Sequence, residues 1–141
     1  MNNLKFSLFL GAQALAILVL LIWAALWPGR WNAQRMLGTG LLVVGTALVL
    51  LARVQLGSSF SILPRAKKLV THGLYSKIRN PIYTFGTIAV AGMLLILQIP
   101  KLWIWLVVVV AIQILRAGKE ARVLEARFGE EYRAYRKQTW F

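Results

Sequence analysis

The stretch 81-PIYTFGTIAVAGMLLILQIPKLWIWLVVVVAIQIL-115 contains one charged side chain, Lys101, set between two apolar runs. About 20 apolar residues in a helix cross the ~30 Å hydrocarbon core of a bilayer, because each residue advances ~1.5 Å. Residues 81–99 form such a run. Residues 102–115 form a shorter one, whose flanking Lys101 and Arg116 extend its reach by snorkelling. The turn Gln98-Ile99-Pro100-Lys101 is brief, so the two runs are expected to form an antiparallel hairpin. Working toward the N-terminus, residues 36–52 form another span between Arg35 and Arg53. Residues 6–27 form the first, between Lys5 and Arg30. That first run is too long for the apolar core of a signal peptide and no small-residue cleavage site follows it, so it is expected to be retained. Trp23, Trp27 and Trp31 read as an interfacial belt at its far end.

Composition points the same way. The 141 residues are 59% hydrophobic and 15% charged, with a mean hydropathy of +0.65, whereas soluble domains carry about a quarter of their residues as Asp, Glu, Lys or Arg. A chain this short cannot bury so much apolar surface within itself, and lipid must solvate the excess. The 17 Lys and Arg residues face only 4 acids, Glu120, Glu125, Glu130 and Glu131, for a net charge of +13. The absence of cysteine excludes thiolate chemistry, disulfides and Cys-based metal sites, and His72 is the only histidine, so no metal centre is expected. The cations flank apolar spans, which the positive-inside bias explains without a nucleic-acid partner. The loop after residue 52 carries Arg65, Lys67, Lys68, Lys77 and Arg79, and the tail carries Arg116, Lys119, Arg122, Arg127, Arg133, Arg136 and Lys137. Only Arg30, Arg35 and Lys101 fall in the other two loops. Both termini and the heavy loop are therefore expected in the cytoplasm.

The expected architecture is all-α: a polytopic membrane helix bundle of about four transmembrane helices with a C-terminal cytoplasmic amphipathic helix. It forms one domain over residues 1–141, with N-terminal spans in 1–55, a cytoplasmic loop in 56–80, a hairpin in 81–116 and the last helix in 117–141. A prokaryotic inner membrane is the expected location. Gly38, Gly40 and Gly45 on the second span, and Gly86 and Gly92 on the third, permit close helix packing within one chain or between copies.

Two segments carry more than hydropathy. In the loop, Gly57-Ser58-Ser59-Phe60-Ser61 and Pro64 read as irregular structure. Asn80 and Pro81 suit the N-cap and first position of a helix. That helix end and Arg79 make an anion or carboxylate site; equally, Asn80-Pro81 starts a helix and Arg79 obeys the positive-inside rule. Tyr75 and Tyr83 fit either a site or an interfacial anchor. In the tail, Glu120, Leu124, Phe128 and Tyr132 recur at steps of four on one helix face, with Gly129 placed to end or bend that helix. An amphipathic helix on an anionic membrane surface, with Arg116 and Glu120 as an i,i+4 pair, accounts for the same spacing.

Together these segments resemble the superfamily of isoprenylcysteine carboxyl methyltransferases and phospholipid methyltransferases. Its pattern is Gly-x-Tyr-x-x-x-Arg-His-Pro-x-Tyr, a helical hairpin, then Glu-Glu-x-x-Leu-x-x-x-Phe-Gly-x-x-Tyr-x-x-Tyr. The chain has Gly73-Leu74-Tyr75, then Arg79-Asn80-Pro81-Ile82-Tyr83, and after the hairpin Glu120, Leu124, Phe128-Gly129, Tyr132 and Tyr135. The match covers residues 69–135, about half the chain, and the first two spans carry only general hydropathy. The resemblance implies a methyltransferase using S-adenosylmethionine and releasing S-adenosylhomocysteine, with membrane lipids around it and a lipophilic or small methyl acceptor. It implies that His72, Gly73, Leu74, Tyr75, Asn80 and Pro81 line the cofactor, that Arg79 holds a carboxylate, that Tyr83 faces the same pocket, and that Glu120 meets the cofactor's ammonium, ribose or sulfonium. Two positions depart from the pattern. Asn80 replaces the usual histidine and cannot shuttle a proton at neutral pH, and Ala121 replaces the second glutamate.

A channel or ion-coupled transporter would mark its spans with acids, and the four spans have none. A non-catalytic membrane subunit or lipid-binding protein of the same fold is the other reading, which the changes at Asn80 and Ala121 keep open.

Overall fold

The structure, a computed structural model, describes residues 3–57 and 69–140, with side chains from Ser7 onward. Ser58-Ser59-Phe60-Ser61, Pro64, Arg65, Lys67 and Lys68 of the expected irregular loop lie outside the described residues. Four α-helices follow one another: α1 (Asn3–Leu26), α2 (Ala33–Leu56), α3 (Pro81–Leu97) and α4 (Trp103–Gln138). A 3-10 turn at Gly73–Ser76 precedes α3 and another at Pro100–Leu102 precedes α4. The all-α expectation holds among the described residues, and α1, α2 and α4 are long and apolar enough to cross a membrane. The short member is α3, with 17 residues, rather than the fourth span. That span does not stop at Leu115 but runs on unbroken into the charged tail, because nothing between Leu115 and Phe128 interrupts the helical hydrogen bonding.

The tightest packing joins α2 to α3, not the two arms of the expected hairpin. Residues Gly38, Leu42, Gly45, Val49 and Ala52 are buried along one face of α2, at alternating steps of four and three that keep a stripe on one side of a helix. Small residues let the two backbones touch. A Cβ added at Gly38 would lie 2.7 Å from the Gly92 carbonyl oxygen, one at Gly45 would lie 2.8 Å from the Ala89 nitrogen, and one at Gly92 would lie 2.6 Å from the Gly38 carbonyl oxygen. In lipid, where the apolar effect does not favour helix–helix contact over helix–lipid contact, such close approach supplies the dispersion energy that holds helices together. Gly40 points into open space and Gly86 faces Gln113, so the glycines of these spans divide by role.

Arg35 ties α1 to this pair. The sequence places it as one of few cations in a sparsely charged loop, yet its side chain is only 1% exposed. The guanidinium donates to the carbonyls of Ala24 at 3.2 Å, Ala25 at 3.3 Å, Trp27 at 2.7 Å and Gly29 at 2.9 Å, and it stacks 4.3 Å from the centroid of the Trp31 ring. The last carbonyls of a helix have no partner inside the helix; here one side chain of the next helix satisfies them. Asn32 in turn caps α2, its side-chain oxygen accepting from the Arg35 amide at 2.9 Å. Trp23 and Trp27 pack with ring centroids 4.7 Å apart at the same end.

Replacing Gly92 by valine should therefore cost about 1–3 kcal/mol of stability through overpacking, read as a lowered midpoint of thermal unfolding in detergent, while Gly40→Val should change it little. Replacing Arg35 by methionine should cost about 1–3 kcal/mol, because it strands carbonyls at an apolar boundary; an unchanged midpoint would contradict the capping role.

Candidate active site at the start of α3

The site is built where α2 ends, α3 begins and α4 passes by. The backbone enters it through Gly73, whose φ of +61° favours glycine. A Cβ there would also collide with the Gln55 side chain. That space lets the Gln55 side-chain oxygen accept the Leu74 amide hydrogen at 2.8 Å, which fixes the 3-10 turn against the end of α2. Tyr75 is buried in a cluster with Ala52 and Val70, with Leu56, Leu74 and Ile82 packed around it. His72, at the cap of this turn, is exposed.

The tail closes over the turn from the other side. Gly129, with φ +49°, bends α4, as its place in the sequence suggests. Beyond the bend, Tyr132 is 1% exposed, and the Tyr135 hydroxyl donates to the Tyr75 carbonyl at 2.7 Å. The Trp140 amide then donates to the Lys77 carbonyl at 2.8 Å, and the Arg79 amide to the Trp140 carbonyl at 3.0 Å. Arg133 braces the outside of the bend, 2.8 Å from Glu125 and 2.5 Å from Glu130. These ions are exposed, and such pairs contribute little.

Inside the corner, the Tyr83 hydroxyl donates to the Glu120 carboxylate at 3.2 Å. The Arg116 guanidinium lies beside both groups. Arg79 is close enough to Tyr132 and Tyr135 to act on their hydroxyls, and Arg53, from α2, acts on Tyr75. Asn80 occupies the N-cap position without a side-chain capping bond. The Tyr83 and Thr84 amides both donate back to the Asn80 carbonyl, at 3.1 Å each, and Pro81, fully buried, has no amide hydrogen. Few amides are left for an anion at this helix end, so the positive charge of that corner resides in its arginines, Arg53, Arg79 and Arg116.

Three of the chain's four tyrosines, Tyr75, Tyr83 and Tyr132, stand near enough to the Glu120 carboxylate to feel its charge, and Tyr135 packs beside Tyr132. Glu120 lies beyond the apolar run of α4, and burial raises its pKa above the usual glutamate range, while the Tyr83 hydroxyl and Arg116 pull it partly back. Burial, and then the negative charge of Glu120, push the Tyr75 hydroxyl far up, so it is not a base at any working pH. The Tyr135 hydroxyl is pushed up to about 12 by burial and by Tyr132, with Arg79 opposing; it stays protonated and keeps donating to Tyr75.

The model of the family described as phospholipid methyltransferase matches residues 33–131. The chain belongs to that family. The family lies within the superfamily of integral membrane methyltransferases that the two motif segments resemble, and it implies an integral membrane methyltransferase. The match begins at the first residue of α2, so the second span, which carries only general hydropathy by eye, is part of the family's unit. It ends just after the bend at Gly129. A search of curated proteins finds no match for the chain.

Of the residues singled out in the sequence, the structure brings Tyr75, Arg79, Asn80, Pro81, Tyr83 and Glu120 into one corner. Gly73 and Leu74 act there through Gln55, and His72 stands outside. Gln55, Arg53 and Arg116 were missed as members of the site. The available signal was a polar or charged residue at the last turn of an apolar span, where such residues are expensive and tend to face protein.

Because burial raises the Glu120 pKa, the folded state binds this proton more tightly than the unfolded chain does. The stability this gives is complete below the ordinary glutamate pKa and is lost as pH rises through the folded value. Glu120→Gln should therefore raise the unfolding midpoint at neutral pH and flatten its decline above pH 4, measured as thermal unfolding against pH. A variant that tracks the parent at every pH would show the carboxylate to be solvated.

Proposed function

We propose that the protein is a membrane-embedded S-adenosylmethionine-dependent methyltransferase, acting on a lipophilic or small acceptor where its charged end meets the membrane interface. One observation carries this reading: a single half-buried carboxylate, Glu120, held by the Tyr83 hydroxyl at 3.2 Å within a ring of tyrosines and arginines. The residues suit the cofactor's chemistry. Its ammonium and sulfonium need an anion and Glu120 is the acid that faces the corner; its carboxylate needs a cation, and Arg79 and Arg116 are there; its adenine needs apolar and aromatic walls, which the part-exposed Leu74 and Tyr83 offer. The excess of Lys and Arg at this end supports a cytoplasmic orientation, the compartment in which a polar cofactor is met.

S-adenosylmethionine, when bound, supplies an electrophilic methyl group on sulfur. The chain's part is alignment and exclusion of water. Tyr83 orients Glu120 through its hydroxyl. Arg79 orients a carboxylate, either the cofactor's or an acceptor's. An acceptor that arrives nucleophilic, such as a carboxylate or thiolate, needs only this alignment. An amine or hydroxyl must lose a proton, and Glu120 is the group whose pKa burial moves toward neutrality; Asn80 cannot take that proton and Tyr75 does not ionise.

The test is calorimetric titration of S-adenosylhomocysteine into detergent-purified protein. Saturable micromolar binding is expected, weakened at least tenfold by Glu120→Ala and by Tyr75→Ala. A folded parent protein that binds nothing would remove the methyltransferase reading.

A further inference from the structure

Beyond Gly129 the chain turns back, and residues 130–140 lie over the motif turn as a strap. The inner side of the strap is fixed by Tyr132 and Tyr135, both buried, and by the bond from the Tyr135 hydroxyl to the Tyr75 carbonyl. Its far end is fixed through the backbone. Trp140 forms a parallel bridge with Ile78, its amide donating to the Lys77 carbonyl at 2.8 Å and its carbonyl accepting from the Arg79 amide at 3.0 Å. These bonds hold the main chain and leave the ring outside: Trp140 is 74% exposed.

The bridge also sets the depth of that ring. Ile78 lies three residues before Pro81, where α3 and its apolar run begin, so Trp140 is held within about 10 Å of the apolar boundary. The headgroup layer on one face of a bilayer is about 5–8 Å thick, and tryptophan concentrates there. The other five tryptophans, Trp23, Trp27, Trp31, Trp103 and Trp105, lie where α1 ends and α4 begins, at the end remote from the site. Charge around Trp140 is of one sign. From Tyr132 to Trp140 the charged side chains are Arg133, Arg136 and Lys137. Arg133 is engaged by Glu125 and Glu130, and Arg136 acts on Glu125 and Tyr132. Lys137, three residues before Trp140, and Lys77, at the bridge itself, are exposed. The acids of the strap, Glu130 and Glu131, sit at the bend, the opposite end from Trp140.

We propose that Trp140, Lys77 and Lys137 form an anchor that seats the strap in the headgroup layer of an anionic bilayer. The indole is amphipathic and suits that layer, and the two ammonium groups meet the negative surface potential of acidic lipids. Seating the ring holds the Ile78–Trp140 bridge closed, and with it the tyrosines that cover the motif turn. The charge of the surrounding lipid thereby governs how often the corner opens. The anchor goes beyond the methyltransferase reading and stands whatever the corner binds.

The experiment places the full-length protein in nanodiscs of phosphatidylcholine alone and of phosphatidylcholine mixed with phosphatidylglycerol. Amide hydrogen exchange is followed in the peptides that contain Arg79 and Trp140, whose amides make the bridge, with peptides from α2 as the internal reference. A surface that binds only the closed strap lowers its opening by the binding factor, and one cation near an anionic surface is worth about fivefold. Exchange at both amides should therefore slow by about fivefold or more in the anionic discs, with α2 unchanged. Trp140→Ser, which keeps the backbone bonds, should speed exchange at Arg79 in both discs, and the pair Lys77→Gln with Lys137→Gln should remove the dependence on lipid charge. Equal exchange of the parent in the two discs overturns the proposal without need of any variant. So does a lipid dependence that the paired lysine variant retains, or a Trp140→Ser protein that exchanges as the parent does. Protection that follows a crosslinked second copy in the disc, rather than lipid charge, gives this face to a protein contact and overturns it as well.

Discussion

The structure depends on the backbone contact between α2 and α3. Gly38, Gly45 and Gly92 bring the two helices to within the distance at which a single Cβ would not fit. This contact fixes where the end of α2 stands relative to the start of α3. Ala52, two turns from Gly45 in the same buried stripe, then meets Tyr75 and Val70, and Gln55 reaches the Leu74 amide. The turn that carries the motif is thus registered by packing that begins far from it, near the opposite ends of the two helices. The other helices are attached by side chains, α1 through the Arg35 guanidinium and α4 through a few polar contacts.

Electrostatics then give the corner its character. No acid precedes Glu120 in the sequence, so in the corner between α2, α3 and the tail this carboxylate stands among several arginines. The same burial that raises the Glu120 pKa strengthens every charge interaction it makes, because the surrounding dielectric is low. Burial opposes the ionised form of this carboxylate, so ionising it costs the fold stability. The tyrosines contribute differently. Tyr83 and Tyr135 serve as hydrogen-bond donors, and their rings close the walls without adding charge.

Much of the fold was legible because the apolar runs are long and their boundaries are marked by cations. The motif residues were legible because Gly73, Pro81 and Gly129 impose local backbone requirements that spacing alone reveals. What the sequence could not give was partnership. The turn at residues 98–101 implied that α3 pairs most closely with α4, yet the small residues of α2 allow a closer approach than the bulky face of α4 does. Arg35 reads as an ordinary boundary charge, since nothing local says that α1 ends within its reach. Gln55 and Gln113 read as polar interruptions near the ends of apolar runs; only the folded chain shows that one grips Leu74 and the other faces Thr87.

The order in which these parts leave the ribosome has its own consequence. Tyr75 and the Tyr135 hydroxyl that covers its carbonyl are 60 residues apart in the chain, and Trp140 comes later still. During synthesis, α2 and α3 can associate in the bilayer while the turn between them has no roof. The nascent protein therefore passes through an interval in which the motif turn is set but the tyrosine wall has not been made. The corner is completed only when the segment beyond Gly129 folds back onto residues inserted long before it.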